Sequence, residues 1–582
     1  MVDISWSIKK RYKERLARES GTIIKDPGGK VRVCLIYPNT YSVAMSNLGL
    51  HSVYALFNND PRYLCERAFL PSGSEGLNRR DEAEEYVKSG TKLLSLESQS
   101  PVRDFDIIAF TASFEKDYVN IPAILKLAGV PVFSADRDEG HPLVIAGGCG
   151  VSLNPEPVAE MIDVFLLGEG EASVGPFMEV FEASRDCGAG EGDRDEYLKG
   201  FFSVPGAYVP AFYDFEYDDN DVNGKVVSIS SRGGAPMPVR KAVIDNLSLA
   251  PMPVSVITTP DTSFSDTVLI EAERGCPRGC RFCSAGFIYL PTRWRSYAVV
   301  KEAIKDGLQR TGKVGLVGAA ISEHPDLKKM LGLAAGKDEE ITVSSLRADM
   351  IDVELLELLK EAGYKTITVA PEAGTERMRR VISKDIADDC LVECARLVNE
   401  AGIRRMKLYF MVGLPGETQE DVRAIAELTI RIKDELKNGS VAISINPFIP
   451  KPVTPFQWHG YEGAASIEKK YKIIKSTLGK VKGVSFKTES AKEAVLQAWL
   501  ARADRRAGRV IVEAAGAGET AGVGEGVKIG LKRAVKALAP GALRNAERQR
   551  SEGEALPWDV VDHIVTKNYL WKEYKKGVKE LV

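Results

Sequence analysis

Thr267-Val268-Leu269-Ile270-Glu271-Ala272-Glu273-Arg274-Gly275-Cys276-Pro277-Arg278-Gly279-Cys280-Arg281-Phe282-Cys283 is the stretch on which the reading of this chain turns. Residues 267–272 form a short, largely apolar run, which reads as a buried strand. Three cysteines spaced CxxxCxxC follow at once, so their thiols belong at a strand's carboxyl end, where α/β proteins bind ligands. Thiolates bind iron–sulfur clusters, and three on one short loop can hold three irons of a cubane. The fourth iron is then open to a substrate or cofactor. Gly275 and Gly279 let the loop wrap closely, and Pro277 stiffens it. The competing reading is structural zinc, which takes four protein ligands; the closest downstream histidine is His324. The candidate metal ligands are Cys276, Cys280 and Cys283.

Outward from this stretch, towards the carboxyl terminus, apolar runs recur at Val314–Val317, Ile341–Ser345, Thr366–Ala370, Lys407–Val412 and Ala442–Pro447. Helical patterns such as Asp352–Ala362 and Thr418–Leu436 separate them. Six such units predict a complete or partial (β/α)6 barrel of the TIM type, with its working groups at the carboxyl ends of the strands. Residues 465–478, 490–505 and 558–577 have helical periodicity, so the carboxyl-terminal region is expected to be mainly helical. Gly516 to Gly526 reads as a loop, because no Lys-Ser/Thr follows as a phosphate loop requires.

Towards the amino terminus, residues 31–37, Ile107–Phe110, Leu143–Ala146 and Val164–Leu167 read as strands with helical patterns between them, which predicts a parallel sheet. Their ends carry Pro38-Asn39-Thr40, Thr111-Ala112-Ser113, Gly147-Gly148 and Gly168-Glu169-Gly170. Residues 184–200 look like a solvated linker, and 207–231 like a hairpin. The fold class is α/β throughout: a Rossmann-like domain, a partial barrel and a mainly helical end. The expected boundaries are an extension at 1–29, the sheet domain at 30–183, linker and hairpin at 184–265, the barrel at 266–458 and the carboxyl-terminal region at 459–582.

Bulk properties narrow the class further. The 582 residues carry a formal charge of −3, with 44% hydrophobic and 27% charged residues, so the chain is no polycation built for nucleic acid. The run Ala501–Arg509 is locally basic and reads as a solvated helix end sooner than a nucleic-acid patch. With no long apolar run and a charged amino terminus, neither a membrane span nor a signal peptide is expected, which points to the cytoplasm. Nine cysteines, an odd number with three clustered, favour metal binding over disulfides in a reducing compartment.

The cysteine segment, with the aromatic Phe282 before its last cysteine, resembles the radical S-adenosylmethionine superfamily, and the resemblance covers the barrel region. It implies a 4Fe–4S cluster whose open iron is chelated by S-adenosylmethionine, an electron donor such as flavodoxin or ferredoxin, and cleavage to a 5′-deoxyadenosyl radical. It places Phe282 near the adenine. Gly318-Ala319-Ala320-Ile321-Ser322-Glu323 loosely matches the turn that contacts the amino group, making Ser322 or Glu323 the candidate. Ser344-Ser345-Leu346-Arg347 offers Ser345 and Arg347 to the carboxylate. Glu372, in Pro371-Glu372-Ala373-Gly374-Thr375, matches the ribose contact; Thr375 reads equally as a helix N-cap. Met411 and Gly413 fall where an apolar strand lines the adenine pocket. The stretch Asn446–Phe456 resembles methylthiotransferases and their cobalamin-linked relatives.

Residues 30–180 resemble the cobalamin-binding-like domain that precedes many such enzymes. The candidate residues for cobalamin are Ser46, Gly49, Thr111, Ser113, Gly147, Gly148, Gly168 and Glu169. The Asp-x-His-x-x-Gly motif is absent, since Ala44-Met45-Ser46-Asn47-Leu48-Gly49 stands in its place and His51 comes after it. The resemblance therefore leaves open cobalamin-assisted methylation of an unactivated carbon and a domain that has kept the fold without the ligand. Two alternatives stand beside it. One is a methylthiotransferase-like modifier of RNA or protein, which needs a second cluster on amino-terminal cysteines; Cys34, Cys65, Cys149 and Cys187 are available, and buried free cysteine is their default reading. The other is a non-catalytic iron–sulfur or zinc protein. The substrate is not readable.

Overall fold

The computed structural model describes residues 5–72, 82–186, 194–218, 225–334, 338–516, 525–539 and 541–579. The chain forms two units: Met1–Asp266 with Leu500–Leu543 and Gly553–Ile564, and Thr267–Trp499 with Arg544–Glu552 and Val565–Val582.

The first unit is built on strands β1 (Val31–Tyr37), β2 (Tyr63–Phe69), β3 (Ile107–Thr111), β4 (Leu143–Gly147), β5 (Val164–Leu166) and β6 (Ala207–Tyr208), in the order β2-β1-β3-β4-β5-β6. The first five run parallel and β6 is antiparallel to β5. Apolar residues such as Val33, Leu35, Ile107 and Val144 are buried on both faces, as expected of a sheet covered by helices on each side. The strand order is the doubly wound one whose ligand crevice lies outside the carboxyl ends of β1 and β3. Strand β2 was hidden in the sequence because it carries Glu66 and Arg67. Both are buried: Arg67 binds Glu19 and Glu97 at 2.6 Å each, and Glu66 accepts from Ser98 Oγ at 2.6 Å.

The predicted hairpin forms from β7 (Tyr213–Tyr217) and β8 (Val226–Ser231); most of its turn lies outside the described residues. Part of the predicted linker is a helix, Arg194–Lys199, while Cys187 and its neighbours lie outside the described residues. Strand β9 (Val239–Arg240) pairs in parallel with Val561–Asp562 from far down the chain.

The basic run at 501–509 follows a helix end at Arg502 but is solvated only in part, at Arg506 and Arg509. Arg502 is buried, Arg505 binds Glu156 at 2.9 Å and Tyr213 O at 2.7 Å, and Arg506 binds Asp504 at 2.7 Å. Asn154 Nδ2 donates to Ala501 O and Ala503 O. Arg502 and Arg505 thus serve the interior of the first unit, while Arg506 and Arg509 stay exposed.

In the second unit, β10 (Val268–Glu271) leads into a two-stranded clip, β11 (Glu273–Arg274) with β12 (Arg293–Trp294). Strand β10 pairs in parallel with β13 (Lys313–Val317), and β13 with β14 (Glu340–Val343). A bridge from Leu346 to Val369 joins this row to β15 (Ile367–Glu372), β16 (Arg405–Val412), β17 (Ser440–Pro447) and β18 (Val484–Thr488), again all parallel. The six expected strands are present, and β18 adds a seventh. Its half-exposed Val-Ser-Phe-Lys-Thr alternation sits at the sheet's edge, so it lacks the apolar run that marks the others. The intervening helices begin on caps: Asp352 accepts from Leu355 N, Thr375 from Met378 N, and Thr418 forms a capping box with Asp421. No helix among the described residues is long and apolar enough to cross a membrane.

Candidate iron–sulfur and cofactor site

The cysteine loop starts where β11 ends and runs to the short helix Ala285–Ile288. Gly275 has φ +94°, and a Cβ there would lie 2.7 Å from Tyr289 O, so only glycine admits this close approach. Cys283 N donates to Cys280 O at 3.0 Å, and Gly286 N to Cys283 O at 3.3 Å. The three thiols are half-buried and free. Burial pushes all three up, Cys280 to about 12, while backbone N–H groups of Arg278, aimed at Cys276, and of Ala285 and Gly286, aimed at Cys283, pull the other way. Donors directed at sulfur are what a cluster-bound thiolate requires.

Among the described residues no three His, Cys, Asp or Glu side chains gather so as to hold one metal ion. A cubane asks for a different spacing, because each thiolate takes its own iron. The donor set therefore fits three irons of a 4Fe–4S cluster better than it fits zinc, which needs convergent ligands and a fourth residue.

The loop is fastened on two sides. Arg278 Nε binds Glu323 Oε1 at 2.6 Å, beyond the end of β13. Arg281, next to Cys280, donates from its main chain to Ile382 O at 3.0 Å and from its guanidinium to Arg380 O and Val381 O at 2.9 and 2.8 Å. Behind the loop, Glu273 is buried, receives the N–H groups of Ala320 and Trp294, and is raised by burial to about 7.

The residues expected to face S-adenosylmethionine all lie at strand carboxyl ends. Phe282 is half-buried within the loop. Ser322 is buried and accepts from Arg347 N at 3.4 Å. Ser345 is exposed beyond β14. The Arg347 guanidinium already binds Asp349, at 3.0 and 2.7 Å. Glu372 ends β15 with φ +69°, and its carboxylate meets Lys384 Nζ at 3.0 Å. Ser383, just before that lysine, also has a positive φ, +57°. Two non-glycine residues in the left-handed region cost of order 1–3 kcal/mol each. One is itself a member of the Glu372–Lys384 pair and the other directly precedes Lys384.

Met411 and Gly413 are not tied to the thiols by any of these bonds. Gly413 N binds Glu417 Oε2 at 2.7 Å, and Gly413 lines a cavity of about 390 Å³ with Leu414, Glu417, His459, Tyr461 and Glu462. Burial raises the Glu417 carboxyl to about 7 although Lys470 lies 2.7 Å away. Lys384, Arg278 and Glu273 were missed by sequence reasoning. Arg278 and Glu273 stood in the motif itself, Arg278 between Pro277 and Gly279 and Glu273 beside Arg274.

In the first unit, Thr111, Ser113 and Gly147 do lie at the carboxyl ends of β3 and β4. Ser113 accepts from Asn47 Nδ2 at 3.1 Å, and its carbonyl accepts from the Cys149 thiol at 3.1 Å. Ser46 Oγ donates to Ser42 O and accepts from Ser263 N. Gly49 is exposed in the first turn of the helix Leu48–Asn59. Gly148 has φ +104° and packs on Ala112 O, where a Cβ would approach to 2.7 Å. Gly168 bridges to Ala242, and Glu169 Oε2 accepts from Ile244 N at 2.7 Å. Packing against the chain's own segments thus accounts for Gly148, Gly168 and Glu169. His51 is buried on Met45 O at 3.0 Å. Cys34 and Cys65 are fully buried on neighbouring strands, and Cys149 lies at the start of the helix Cys149–Leu153.

Comparison with known proteins agrees with a cluster at the mouth of a partial parallel barrel, preceded by a doubly wound sheet. Residues 49–210 match the family of radical SAM proteins, N-terminal, and residues 270–429 match the radical SAM superfamily. The chain belongs to the radical SAM superfamily. It is 30% identical over 474 residues to the uncharacterized protein MJ0966 of Methanocaldococcus jannaschii, covering 81% of this chain and 88% of that one. A putative methylthiotransferase of the same organism, MJ0865, is 24% identical over 168 residues, 26% of this chain and 37% of its own. Among solved structures, the cobalamin-dependent S-adenosylmethionine radical enzyme OxsB with aqua-cobalamin and S-adenosylmethionine bound is similar at a TM-score of 0.48 and 13% identity, covering 95% of this chain and 80% of that one. Membership of the superfamily implies a 4Fe–4S cluster, S-adenosylmethionine and a reductant.

Proposed function

We propose that this enzyme cleaves S-adenosylmethionine reductively and uses the resulting radical to take hydrogen from an unactivated carbon. The observation that carries the reading is the loop Cys276–Cys283: three half-buried thiols with sulfur-directed N–H donors, no convergent fourth ligand among the described residues, and a place at the end of the first barrel strand. The three cysteines would hold a 4Fe–4S cluster, which would supply the one-electron reduction needed to cleave S-adenosylmethionine.

The chain's own residues bind and orient. Cys276, Cys280 and Cys283 hold the irons, and Gly275 lets the loop close over Tyr289 O. Phe282, Met411 and Gly413 would line the side of the site that takes the adenine. Ser322 and Glu372 take the polar groups of the cofactor. Ser345 and Arg347 are the carboxylate candidates, although Asp349 already engages the arginine. The electron comes from a donor of the flavodoxin or ferredoxin kind, in the cytoplasm.

A second reading, cobalamin-assisted methyl transfer, is supported by the strand order of the first unit, which leaves a switch point at the ends of β1 and β3. With His51 turned to Met45 O, the loop after β1 offers no histidine to cobalt.

Anaerobic reconstitution tests both readings. About four irons per chain are expected, with 5′-deoxyadenosine formed on reduction in the presence of S-adenosylmethionine. An intact cluster without that product refutes the proposal. Cobalamin retained at one per chain supports the methyl-transfer reading. About eight irons would point to a methylthiotransferase-like second cluster, for which the fully buried Cys34 and Cys65 are poorly placed.

A further inference from the structure

The helix Lys567–Lys579 sits on the cysteine loop and turns a lysine face outward. Leu570, Tyr574 and Gly577, at i, i+4 and i+7, form its buried stripe. Its contact with the loop is close: a Cβ on Gly577 would lie 3.0 Å from Val381 O, 3.1 Å from Arg281 Cδ and 3.2 Å from Phe456 Cε1. Arg281 directly follows Cys280, its guanidinium meets Glu573 Oε2 at 3.3 Å, and its carbonyl accepts from Phe456 N at 3.1 Å. Helix and loop belong to the same unit of the fold.

On the opposite side stand Lys572, Lys575, Lys576 and Lys579, all exposed. Glu573 is the helix's one carboxylate, and it is committed to Arg281 and Lys576. Among the described residues no carboxylate lies within ion-pair reach of Lys572, Lys575 or Lys579. Elsewhere exposed lysines are matched along their own helices, Lys88 by Glu84 and Lys305 by Glu302. Four lysines in eight residues, in a chain of formal charge −3, make a local positive field. Tyr569 and Val578 are exposed on the same helix and give the face an apolar border. A helix with its side chains is about 10–12 Å across, so the lysines stand about one helix diameter from the residue beside Cys280. The chemistry proposed for the loop needs one electron from outside, and its thiols are half-buried. A protein donor therefore has to come up against whatever covers the loop.

We propose that the lysine face of Lys567–Lys579 is the docking surface for the electron donor, a small carrier protein with an acidic face around its redox group. This rests on the cluster reading above. One electron leaves the donor's reduced group and enters the cluster on Cys276, Cys280 and Cys283, and no bond is made or broken between the two proteins. The lysines attract and orient the acidic face. The contacts of Gly577 and Glu573 with Arg281 hold that face at a fixed separation from the loop.

The test follows cluster reduction in the reconstituted holoprotein by its loss of visible absorbance, without S-adenosylmethionine. The reductants are an acidic flavodoxin, an acidic ferredoxin and, as a small uncharged control, photoreduced deazaflavin. With Lys572→Glu, Lys575→Glu, Lys576→Glu and Lys579→Glu combined, the protein-driven rate is expected to fall at least about tenfold at low salt. The gap is expected to close at about 0.5 M salt, and the deazaflavin rate to stay unchanged. Lys469, Lys472 and Lys475 are exposed on the helix Ala464–Leu478, which makes no bond to the cysteine loop among the described residues. Lys469→Glu, Lys472→Glu and Lys475→Glu combined are expected to leave both rates alone. Equal protein-driven rates in wild type and the four-fold variant, or equal slowing by the two sets, overturn the proposal and leave the cluster reading standing. So does a deazaflavin rate that falls in step. If the four-fold variant takes up no iron, the corresponding Lys→Gln variant decides on the same criteria. An RNA oligonucleotide held by the wild type and released by the variant, with protein-driven reduction unaltered, assigns the face to nucleic acid instead. A wild type with an intact cluster that neither carrier reduces overturns the proposal alone, and one that takes up no cluster overturns both.

Discussion

Gly275 and Gly279 look alike in the motif, and the structure separates them. Gly275 sits at φ +94°, and an alanine Cβ would lie 2.7 Å from Tyr289 O and 3.1 Å from Thr292 Cα. Both neighbours are backbone and cannot swing aside. The left-handed conformation costs an alanine about 1–2 kcal/mol, and forcing the chain apart about 1–3 kcal/mol more. Gly275→Ala should therefore lose about 2–5 kcal/mol. In a unit of this size that lowers the melting temperature by roughly 4–20 °C, at about 2–4 °C per kcal/mol. Gly279 has φ +63° with nothing within 4 Å of its added Cβ, so Gly279→Ala should lose only the conformational part, about 1–2 kcal/mol. The assay is thermal unfolding of the two apo variants beside the wild type, with iron content after reconstitution measured on the same samples. Gly275→Ala should bind less iron than Gly279→Ala. Equal losses in the two variants would refute the claim that the Tyr289 carbonyl seats the loop.

Other outcomes follow from burial and charge. The three motif thiols are pushed up, Cys280 to about 12, so the apo chain holds them protonated at neutral pH and cluster assembly must release protons. Reconstitution yield should rise from about pH 7 to about pH 9 with measurable acidification, and a pH-independent yield would contradict this. His563 is buried with both ring nitrogens lacking hydrogen-bond partners among the described residues, and burial with help from Lys241 lowers it from 6.5 to about 3. Between those values the unfolded chain binds the extra proton, so stability falls as pH drops from 6.5 towards 3, by up to about 4–5 kcal/mol. His563→Leu should flatten that slope in denaturation measured at several pH values. Arg67→Met would strand the buried carboxylates of Glu19 and Glu97, each 2.6 Å from the guanidinium. It should cost about 3–5 kcal/mol, partly recovered when both acids become glutamine, and a lone variant as stable as the wild type would dismiss the triad as a fold determinant.

Much of the architecture was legible because it is written in apolar runs. Val33, Leu35, Ile108, Val144, Leu316 and Leu408 are buried where their patterns placed them. The strands that escaped are those whose environment overrides pattern. β2 buries Glu66 and Arg67 because partners from distant segments neutralise them, and β18 is an edge strand with half its residues in water. The basic run at 501–509 misled in part, for the same reason as β2, since Glu156 meets Arg505 from some 350 positions away. At the site, the cysteines were legible from spacing alone. Lys384 was not, because its pairing with Glu372 depends on a left-handed turn at a serine and on a strand end 12 residues earlier, and local spacing encodes neither.

The pairing of β9 with Val561–Asp562 bears on how the protein is made. Some 320 residues separate the two strands, roughly 15–65 s of synthesis at about 5–20 residues per second. During that interval the sheet unit emerges with β9 unpaired. Arg505 arrives late as well, so Glu156 waits without its cation while the whole barrel is translated. The amino-terminal unit is thus begun first and completed only near the end of synthesis. A fragment ending near residue 266 would expose the surfaces that 500–543 and 553–564 cover. Any attempt to study the sheet unit separately has to bring those late segments with it.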